Sequence, residues 1–160
     1  MSNDIIARIA EREDFARLIA MVRDFYEEDC IPYQPELVEP GLQAVLGNPS
    51  LGAVLLLSSD DLAEVGYVTL GWCFSVEQGG RFVLLDELYL VPAARGRGWG
   101  RQALALARDW AAGQGAAVIR LEVNHHNAKA KRLYLAAGYC DDARDILTLS
   151  LNSQAGGLHS

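Results

Sequence analysis

The stretch LYLVPAARGRGWGRQALALARDW, residues 88–110, changes in amino-acid composition near its middle. An apolar run gives way to three arginines and three glycines between Arg95 and Arg101, and an alanine- and leucine-rich segment follows. The apolar face of that segment at helical spacing consists of Trp99, Ala103, Leu106 and Trp110. The stretch is therefore predicted to form a strand, a glycine-rich turn and a helix.

A turn of this kind is suited to binding phosphate. It places unpaired backbone N–H groups beside the positive end of a helix dipole. The glycines follow a G-x-G-x-G spacing, which is not the nucleoside-triphosphate loop, and Arg101 stands where the dinucleotide fingerprint needs a third glycine. We therefore do not expect NAD binding. The alternative is that the glycines only form a tight turn and the arginines are solvated.

The composition predicts one acidic globular domain. The chain has 160 residues and a net charge of -7, and we expect a core from about residue 5 to 151 and a tail over 152–160. A pI near 4.9 argues against non-specific nucleic-acid binding. With no leader-like start and no apolar run of membrane length, a cytoplasmic protein is expected. The three cysteines are widely spaced and indicate neither a disulfide framework nor a metal site.

Hydrophobic periodicity predicts an α+β fold, with a mixed, mostly antiparallel central sheet flanked by helices. The predicted strands are Ile5–Ala10, Gly52–Ser59, Ala63–Ser75, Gly80–Val91, Ala116–Val123 and Asp145–Leu151. Helices are expected behind Asp14, from Arg97 to Gly113 and from Asn127 to Gly138. The proline-rich segment 31–50 is expected to be a loop and a turn, with at most one short helix before Gly47.

A second motif adds to the pattern of the glycine-rich turn. The segment LEVNHHNAKAKRLYLAAGY, residues 121–139, has Asn127 at a helix N-cap and Gly138 at the helix end. Its N-x-x-A-x-x-L-Y-x-x-x-G pattern, together with the RGRGWG turn, closely resembles the GNAT superfamily of acetyl-coenzyme A dependent N-acetyltransferases. The resemblance covers about residues 82–140, and Trp99 departs from it, since the family more often has an aliphatic residue there.

The resemblance implies a coenzyme site and no metal. The pyrophosphate of acetyl-coenzyme A would be held by Arg95, Gly96, Arg97, Gly98, Trp99, Gly100 and Arg101. The backbone of Leu88, Tyr89 and Leu90 would pair with the pantetheine arm as an added strand does. Asn127 would contact the coenzyme as well as cap its helix. His125 and His126 lack a third ligand at suitable spacing and are expected to belong to a loop.

The resemblance also implies the catalytic groups. Tyr134 matches the family's general acid, although a core aromatic would explain the residue type too. Asp86 and Glu87 are neighbours on a strand, so we expect only one of them to line the acceptor cleft. The resemblance favours Asp86, acting through water, over Glu87. Glu122 is a third candidate, and solvated carboxylates are the alternative for each.

The expected activity is direct transfer of an acetyl group to a primary amine in a ternary complex. Acidic residues near the expected acceptor cleft favour a cationic small molecule, although a solvated helix face explains them equally well. They are Asp24, Glu27, Glu28, Asp29, Glu36 and Glu39. Protein lysines or N-terminal amines are alternative acceptors, and a non-catalytic acyl-coenzyme A sensor is an alternative function. No nucleic-acid or membrane partner is expected, and a homodimer is allowed.

Overall fold

The computed structural model describes residues 4–152 and shows one five-stranded sheet with helices on both faces. The strands are β1 Ile6–Ile9, β2 Gly52–Ser58, β3 Gly66–Ser75, β4 Gly80–Leu90 and β5 Ile119–Leu121. The helices are α1 Phe15–Glu28, α2 Pro35–Gly47, α3 Trp99–Gly113 and α4 Ala128–Ala136. Strand order follows chain order, with β1 to β4 antiparallel and β5 parallel to β4. The predicted fold class is confirmed.

Two hydrophobic clusters cover the two faces of the sheet. Helices α1 and α2 pack on one face, where Leu18 and Val22 of α1 meet Tyr67 of β3 and Tyr89 of β4. Helix α3 packs on the other face, and its Trp99, only 1% exposed, is the largest fully buried side chain there. Because side chains alternate along a strand, β4 contributes to both clusters. This strand therefore connects the two halves of the molecule.

The proline-rich segment after α1 is more helical than its sequence predicts. It forms α2, a helix of 13 residues, where we expected a loop with at most one short helix. Pro35 occupies the first turn, where its missing N–H costs nothing, and Pro40 lies inside the helix. Burial of Leu42 against the sheet stabilises this helix despite Pro40.

The predicted last strand, Asp145–Leu151, is wrong. Residues 141–152 have no regular secondary structure, and Leu147, Leu149 and Leu151 are 92%, 82% and 92% exposed. The neighbouring edge strand β5 has only three residues, so it offers a short ladder for pairing. An alternating pattern stabilises a strand only when it packs against a partner. The predicted tail from residue 152 lies almost wholly outside the described residues.

Two further expectations can be compared with the described residues. No helix within residues 4–152 combines the length and the apolar character needed to span a membrane. The three cysteines are free thiols, with Cys30 and Cys140 exposed and Cys73 partly buried.

Candidate active site

Strands β4 and β5 separate after a short paired stretch. Their pairing runs from Val83 opposite Ile119 to Leu85 opposite Leu121 and stops there, whereas β4 continues to Leu90. Beyond this point the β5 side of β4 is an open strand edge in the described part of the chain. An extended ligand can add to such an edge as a further strand.

The backbone groups of β4 alternate between β3 and this open edge. The carbonyl oxygen of Tyr89 lies against Gly66 of β3, so closely that a β-carbon on Gly66 would collide with it. Because successive residues turn their backbone groups to opposite sides, Leu88 and Leu90 face the open edge. These two residues have the direction that pairing with a pantetheine arm requires. The Leu90 carbonyl also accepts a hydrogen bond of 3.0 Å from Arg95 Nε.

The glycine-rich turn has the backbone geometry of an anion site. Gly96 and Gly98 have φ values of +73° and +79°, a left-handed conformation that other residues rarely adopt. Among the described residues, the N–H groups of Gly96, Arg97 and Gly98 donate to no backbone carbonyl. Helix α3 begins at the next residue, so its positive end points to the same place. These features together favour the binding of a phosphate group.

The third glycine of the turn has a different role. Gly100 lies inside the first turn of α3, and a β-carbon there would lie 3.3 Å from Cδ2 of Leu133 and 3.8 Å from Cδ1 of Leu90. The absence of a side chain therefore lets α3 approach α4 closely. This glycine contributes to helix packing rather than to a left-handed turn.

Arg95 joins the turn to the first helix. Its Nη2 atom lies 2.6 Å from Oε2 of Glu28, near the end of α1, while its Nε atom donates to Leu90. Both side chains of the ion pair remain partly exposed. Arg95 therefore connects the glycine-rich turn to the α1 face of the sheet.

Arg97 and Arg101 differ in how they are held. Arg97 Nη2 lies 2.9 Å from Oδ2 of Asp61, in the loop between β2 and β3, and its guanidinium stacks 3.7 Å from the centre of the Trp99 ring. Arg101 is exposed and makes no ion pair with a described residue. One guanidinium is thus held beside the turn and the other is exposed to solvent.

Glu87 is held by two tyrosines from distant elements. Tyr26 of α1 donates its hydroxyl to Oε2 of Glu87 at 2.5 Å, and Tyr67 of β3 donates to Oε1 at 2.9 Å. Tyr67 is fully buried, and Glu87 and Tyr26 are half-buried. The two donors contact different carboxylate oxygens, so together they fix the plane of the carboxylate.

A β-bulge places Asp86 beside Glu87. Thr69 of β3 pairs with Glu87 and Leu70 pairs with Leu85, which leaves Asp86 as the extra residue on β4. The expectation that these two acids face opposite sides of the sheet does not hold, because the bulge interrupts strand alternation. Both carboxylates act on Tyr26 and raise the pKa of its hydroxyl, together with burial, which is the larger cause.

The two carboxylates differ in their partners. Burial raises the pKa of Glu87, the hydroxyls of Tyr26 and Tyr67 lower it, and the charge of Asp86 raises it. The surrounding protein removes part of the hydration of Asp86 and raises its pKa as well. Asp86 makes no hydrogen bond or ion pair with a described residue, and its side chain is reachable from solvent. It is therefore the carboxylate that accepts no hydrogen bond from a described residue.

The second motif forms α4 beside this cleft. Asn127 caps the helix as predicted, since its side chain accepts a hydrogen bond of 3.1 Å from Ala130 N, and Gly138 follows the last turn with φ +102°. Tyr134 is half-buried on the face of α4 that packs on the core. Burial raises the pKa of Tyr134, so its hydroxyl keeps its proton at neutral pH.

The remaining candidates lie apart from the carboxylate pair. Glu122 is exposed and follows the end of β5. His125 is exposed and lies 3.3 Å from Asp145. Within residues 4–152 no group of three or more histidine, cysteine or acidic side chains could hold a metal ion.

The predicted acidic residues are partly neutralised. Glu28 pairs with Arg95, and Glu39 lies 3.5 Å from Arg23 and accepts a hydrogen bond from Tyr33. The other four make no ion pair with a described residue; they are Asp24, Glu27, Asp29 and Glu36. Tyr26 and Tyr67 were not among the residues predicted from the sequence, because no local pattern connects them to Glu87.

The comparison with known protein families agrees with this geometry. A model described as the acetyltransferase (GNAT) family matches residues 17–139. The chain therefore belongs to the GNAT acetyltransferase family.

Individual relatives resemble the chain over most of its length. It is 32% identical to an uncharacterised N-acetyltransferase, YhfO, of Bacillus subtilis, over 85% of this chain and 88% of that protein. It is 28% identical to the thialysine N-epsilon-acetyltransferase of Sus scrofa, over 98% of this chain and 90% of that protein. Among solved structures, the integron cassette protein HFX_CASS3 from a salt-marsh metagenome superimposes with a TM-score of 0.79 at 27% identity, covering 91% of this chain and 90% of that one.

Proposed function

We propose that this chain transfers the acetyl group of acetyl-coenzyme A to the primary amine of a cationic small molecule, by direct attack in a ternary complex. One observation carries the proposal. The open edge of β4 leads at one end into the glycine-rich turn, and the same strand has two carboxylates at a bulge on the α1 side. A thioester lying along that edge would meet an amine held at the bulge.

The coenzyme would be bound mainly by backbone groups. The N–H groups of Gly96, Arg97 and Gly98 and the first turn of α3 would hold the pyrophosphate, and Arg97 would add its charge. Leu88 and Leu90 would pair with the pantetheine arm. Asn127, whose side chain caps α4, would contact the coenzyme as well.

The acceptor amine must lose a proton before it can attack. A free primary amine has a pKa near 10, so only a small fraction is nucleophilic at pH 7. Burial raises the pKa of Asp86, and no described residue donates a hydrogen bond to it, so Asp86 would accept this proton. Glu87, fixed by its two tyrosines, would bind the ammonium form and orient it.

Transfer then needs one further proton donor. The amine nitrogen forms a bond to the thioester carbonyl carbon, the carbon–sulfur bond breaks, and the departing thiolate takes a proton. Tyr134 would supply that proton, because its hydroxyl is protonated at neutral pH. The ammonium proton would leave through Asp86 to solvent before the attack. The second proton, which the nitrogen loses after the attack, would return to Tyr134 in place of the one given to the thiolate, so the net products are the amide, free coenzyme A and one proton.

The acidic side chains of α1, α2 and their connection support a cationic acceptor. Four carboxylates of α1, α2 and their connection make no ion pair with a described residue, so they favour a positive ligand near the α1 side of the cleft. The name of the thialysine acetyltransferase, a relative of this chain, also describes transfer to an amine.

The test is thiol release from acetyl-coenzyme A across a panel of amines. Each amine that carries a second positive charge is paired with an analogue of equal length that ends in a neutral hydroxyl. We expect release with the dicationic members and a higher KM for the neutral ones. Coenzyme binding by calorimetry without release for any amine would contradict the transferase and favour a non-catalytic sensor.

The base is tested with one good amine. Asp86→Asn is expected to lower kcat/KM by about 10²-fold near pH 7 and to recover partly at alkaline pH, where solvent deprotonates the amine. Glu122→Gln removes the same charge from the alternative candidate and should leave the pH profile unchanged. A profile altered by Glu122→Gln and not by Asp86→Asn would assign the base to Glu122.

A further inference from the structure

The side chains around Glu87 form an arrangement that the transfer reaction alone does not require. Tyr26 and Glu87 are 61 residues apart in the chain, and Tyr67 and Glu87 are 20 apart. Three elements, α1, β3 and β4, therefore meet at a single carboxylate on the α1 side of the sheet. A half-buried carboxylate without partners would lose hydration with no compensation, so both hydrogen bonds stabilise its ionised form.

We propose that Tyr26 and Tyr67 are positioning residues that keep Glu87 ionised and oriented, and thereby set the lowest pH at which the acceptor amine binds. The proposal rests on the role given to Glu87 above. Each carboxylate oxygen has two lone pairs. Since each accepts one tyrosine hydroxyl, each keeps one lone pair for the ammonium group of the acceptor.

The two tyrosines remain donors over the whole accessible pH range. Burial and the charge of Glu87 raise the pKa of both hydroxyls, so neither ionises near neutral pH. The titratable groups that act on Glu87 are Tyr26 from α1, Tyr67 from β3 and its own neighbour Asp86 on β4. The tyrosines lower the pKa of Glu87 and oppose both its burial and the charge of Asp86.

The sign of the expected effect follows from these contacts. Removal of either hydroxyl takes away a group that lowers the pKa of Glu87, so this pKa rises. At a given acidic pH a smaller fraction of Glu87 is then ionised, and the amine binds less well. The acidic limb of kcat/KM for the amine should move to higher pH, by about one pH unit for each hydroxyl removed.

Tyr33→Phe is a matched control on the same face of the molecule. Tyr33 donates its hydroxyl to Glu39 at 2.9 Å, and its ring packs 6.1 Å from that of Tyr26, but it makes no hydrogen bond to Glu87. Its removal should leave the titration of Glu87 in place. Tyr26→Phe is the principal variant because Tyr26 is only half-buried and its replacement least disturbs the fold.

The experiment combines kinetics with a direct titration. The pH profile of kcat/KM for the amine is measured for the wild type and for Tyr26→Phe, Tyr67→Phe and Tyr33→Phe. The Glu87 carboxyl carbon is then followed by ¹³C NMR, with its signal assigned from Glu87→Gln. We expect both readouts to move to higher pH in the first two variants, with coenzyme affinity unchanged.

The experiment distinguishes failure of the positioning role from failure of the assignment of Glu87 to the acceptor site. If the Glu87 signal titrates at the same pH in Tyr26→Phe and in the wild type, the positioning role is overturned. If the signal moves but Glu87→Gln leaves the KM of the amine unchanged, the tyrosines do hold Glu87, and what fails is its assignment to the acceptor site in the proposed function.

Discussion

The proposed coenzyme side and the proposed acceptor side of the cleft are assembled in different ways. The glycine-rich turn consists of consecutive residues, 95–101, whose own backbone conformation directs the N–H groups. The carboxylate pair depends on a bulge in β4 and on hydroxyls from α1 and β3. A local sequence pattern can therefore specify the first site, whereas only the folded chain creates the second.

The two sides also differ in their exposure. Arg95, Arg97 and Arg101 are exposed, so solvent and salt weaken their interactions with a ligand. Glu87 is half-buried, where an opposite charge is attracted more strongly. Variants on the coenzyme side should therefore show salt-dependent changes in coenzyme affinity. Variants on the acceptor side should change turnover, the KM of the amine and the pH profile.

The largest effect is expected where the two sides meet, at Tyr134. Tyr134→Phe removes one oxygen and little volume, so folding and coenzyme affinity should be retained. Turnover should fall by about 10²-fold to 10⁴-fold, as is typical when a general acid is lost. Single-turnover kinetics with acetyl-coenzyme A and a good amine measure this directly.

Tyr139→Phe is the matched control. The Tyr139 ring lies 6.2 Å from that of Tyr134, and its buried hydroxyl has no hydrogen-bond partner in the described part of the chain. Turnover should be unaffected, and the free energy of unfolding should be equal or larger, since that hydroxyl lacks compensation. Equal turnover losses in both variants would mean that packing, and not proton donation, explains the Tyr134 effect.

A smaller effect is expected at the turn. In Gly98→Val a branched side chain must adopt the left-handed conformation at the point where backbone N–H groups would meet a phosphate. The Kd for coenzyme A should rise by about 100-fold, because several hydrogen bonds to a charged group are lost. Calorimetry measures the Kd, and circular dichroism checks the fold.

Gly113→Val is the matched control for the turn. Gly113 ends α3, has no left-handed φ, and a β-carbon there would meet no atom within 4 Å. It should bind coenzyme A as the wild type does. Wild-type affinity in Gly98→Val would exclude the turn as the pyrophosphate site.

The elements that were predicted correctly from the sequence are those with strong local signals. Periodicity and caps predict α1, α3 and α4, and the apolar runs predict β2, β3 and β4. Helix α2 was underestimated because burial of Leu42 overrides the proline signals. The last strand was overestimated because its alternating leucines have no partner strand among the described residues.

The residues of the candidate site also differ in whether a local sequence signal predicts them. The glycine-rich turn and the Asn127 cap could be predicted because each depends on residues close together in the chain. The bulge at Asp86 could not, since strand alternation gives no sign of where a ladder gains an extra residue. Tyr26 and Tyr67 lie on elements whose packing against Glu87 is decided by the whole fold.

The smallest effect concerns Asp61, which holds Arg97. This ion pair is partly exposed, and pairs of this kind contribute about 0–1 kcal/mol. A coenzyme diphosphate would have to compete with Asp61 for the same guanidinium. Asp61→Asn removes the competing charge, so coenzyme affinity should increase by up to about fivefold at low ionic strength.

The role of the ion pair between Arg97 and Asp61 is tested by varying the ionic strength and by a control variant at Asp60. The gain in Asp61→Asn should shrink as ionic strength rises, because screening weakens exposed charges. Asp60→Asn removes the same charge one residue away and leaves the contact between Arg97 and Asp61 in place, so any general effect of net charge appears in both variants. A larger gain in Asp61→Asn than in Asp60→Asn identifies direct competition for Arg97. A loss of affinity confined to Asp61→Asn would instead mean that Asp61 holds Arg97 in the orientation that the diphosphate needs. The coenzyme side would then depend on a residue distant in the chain, as the acceptor side depends on Tyr26 and Tyr67.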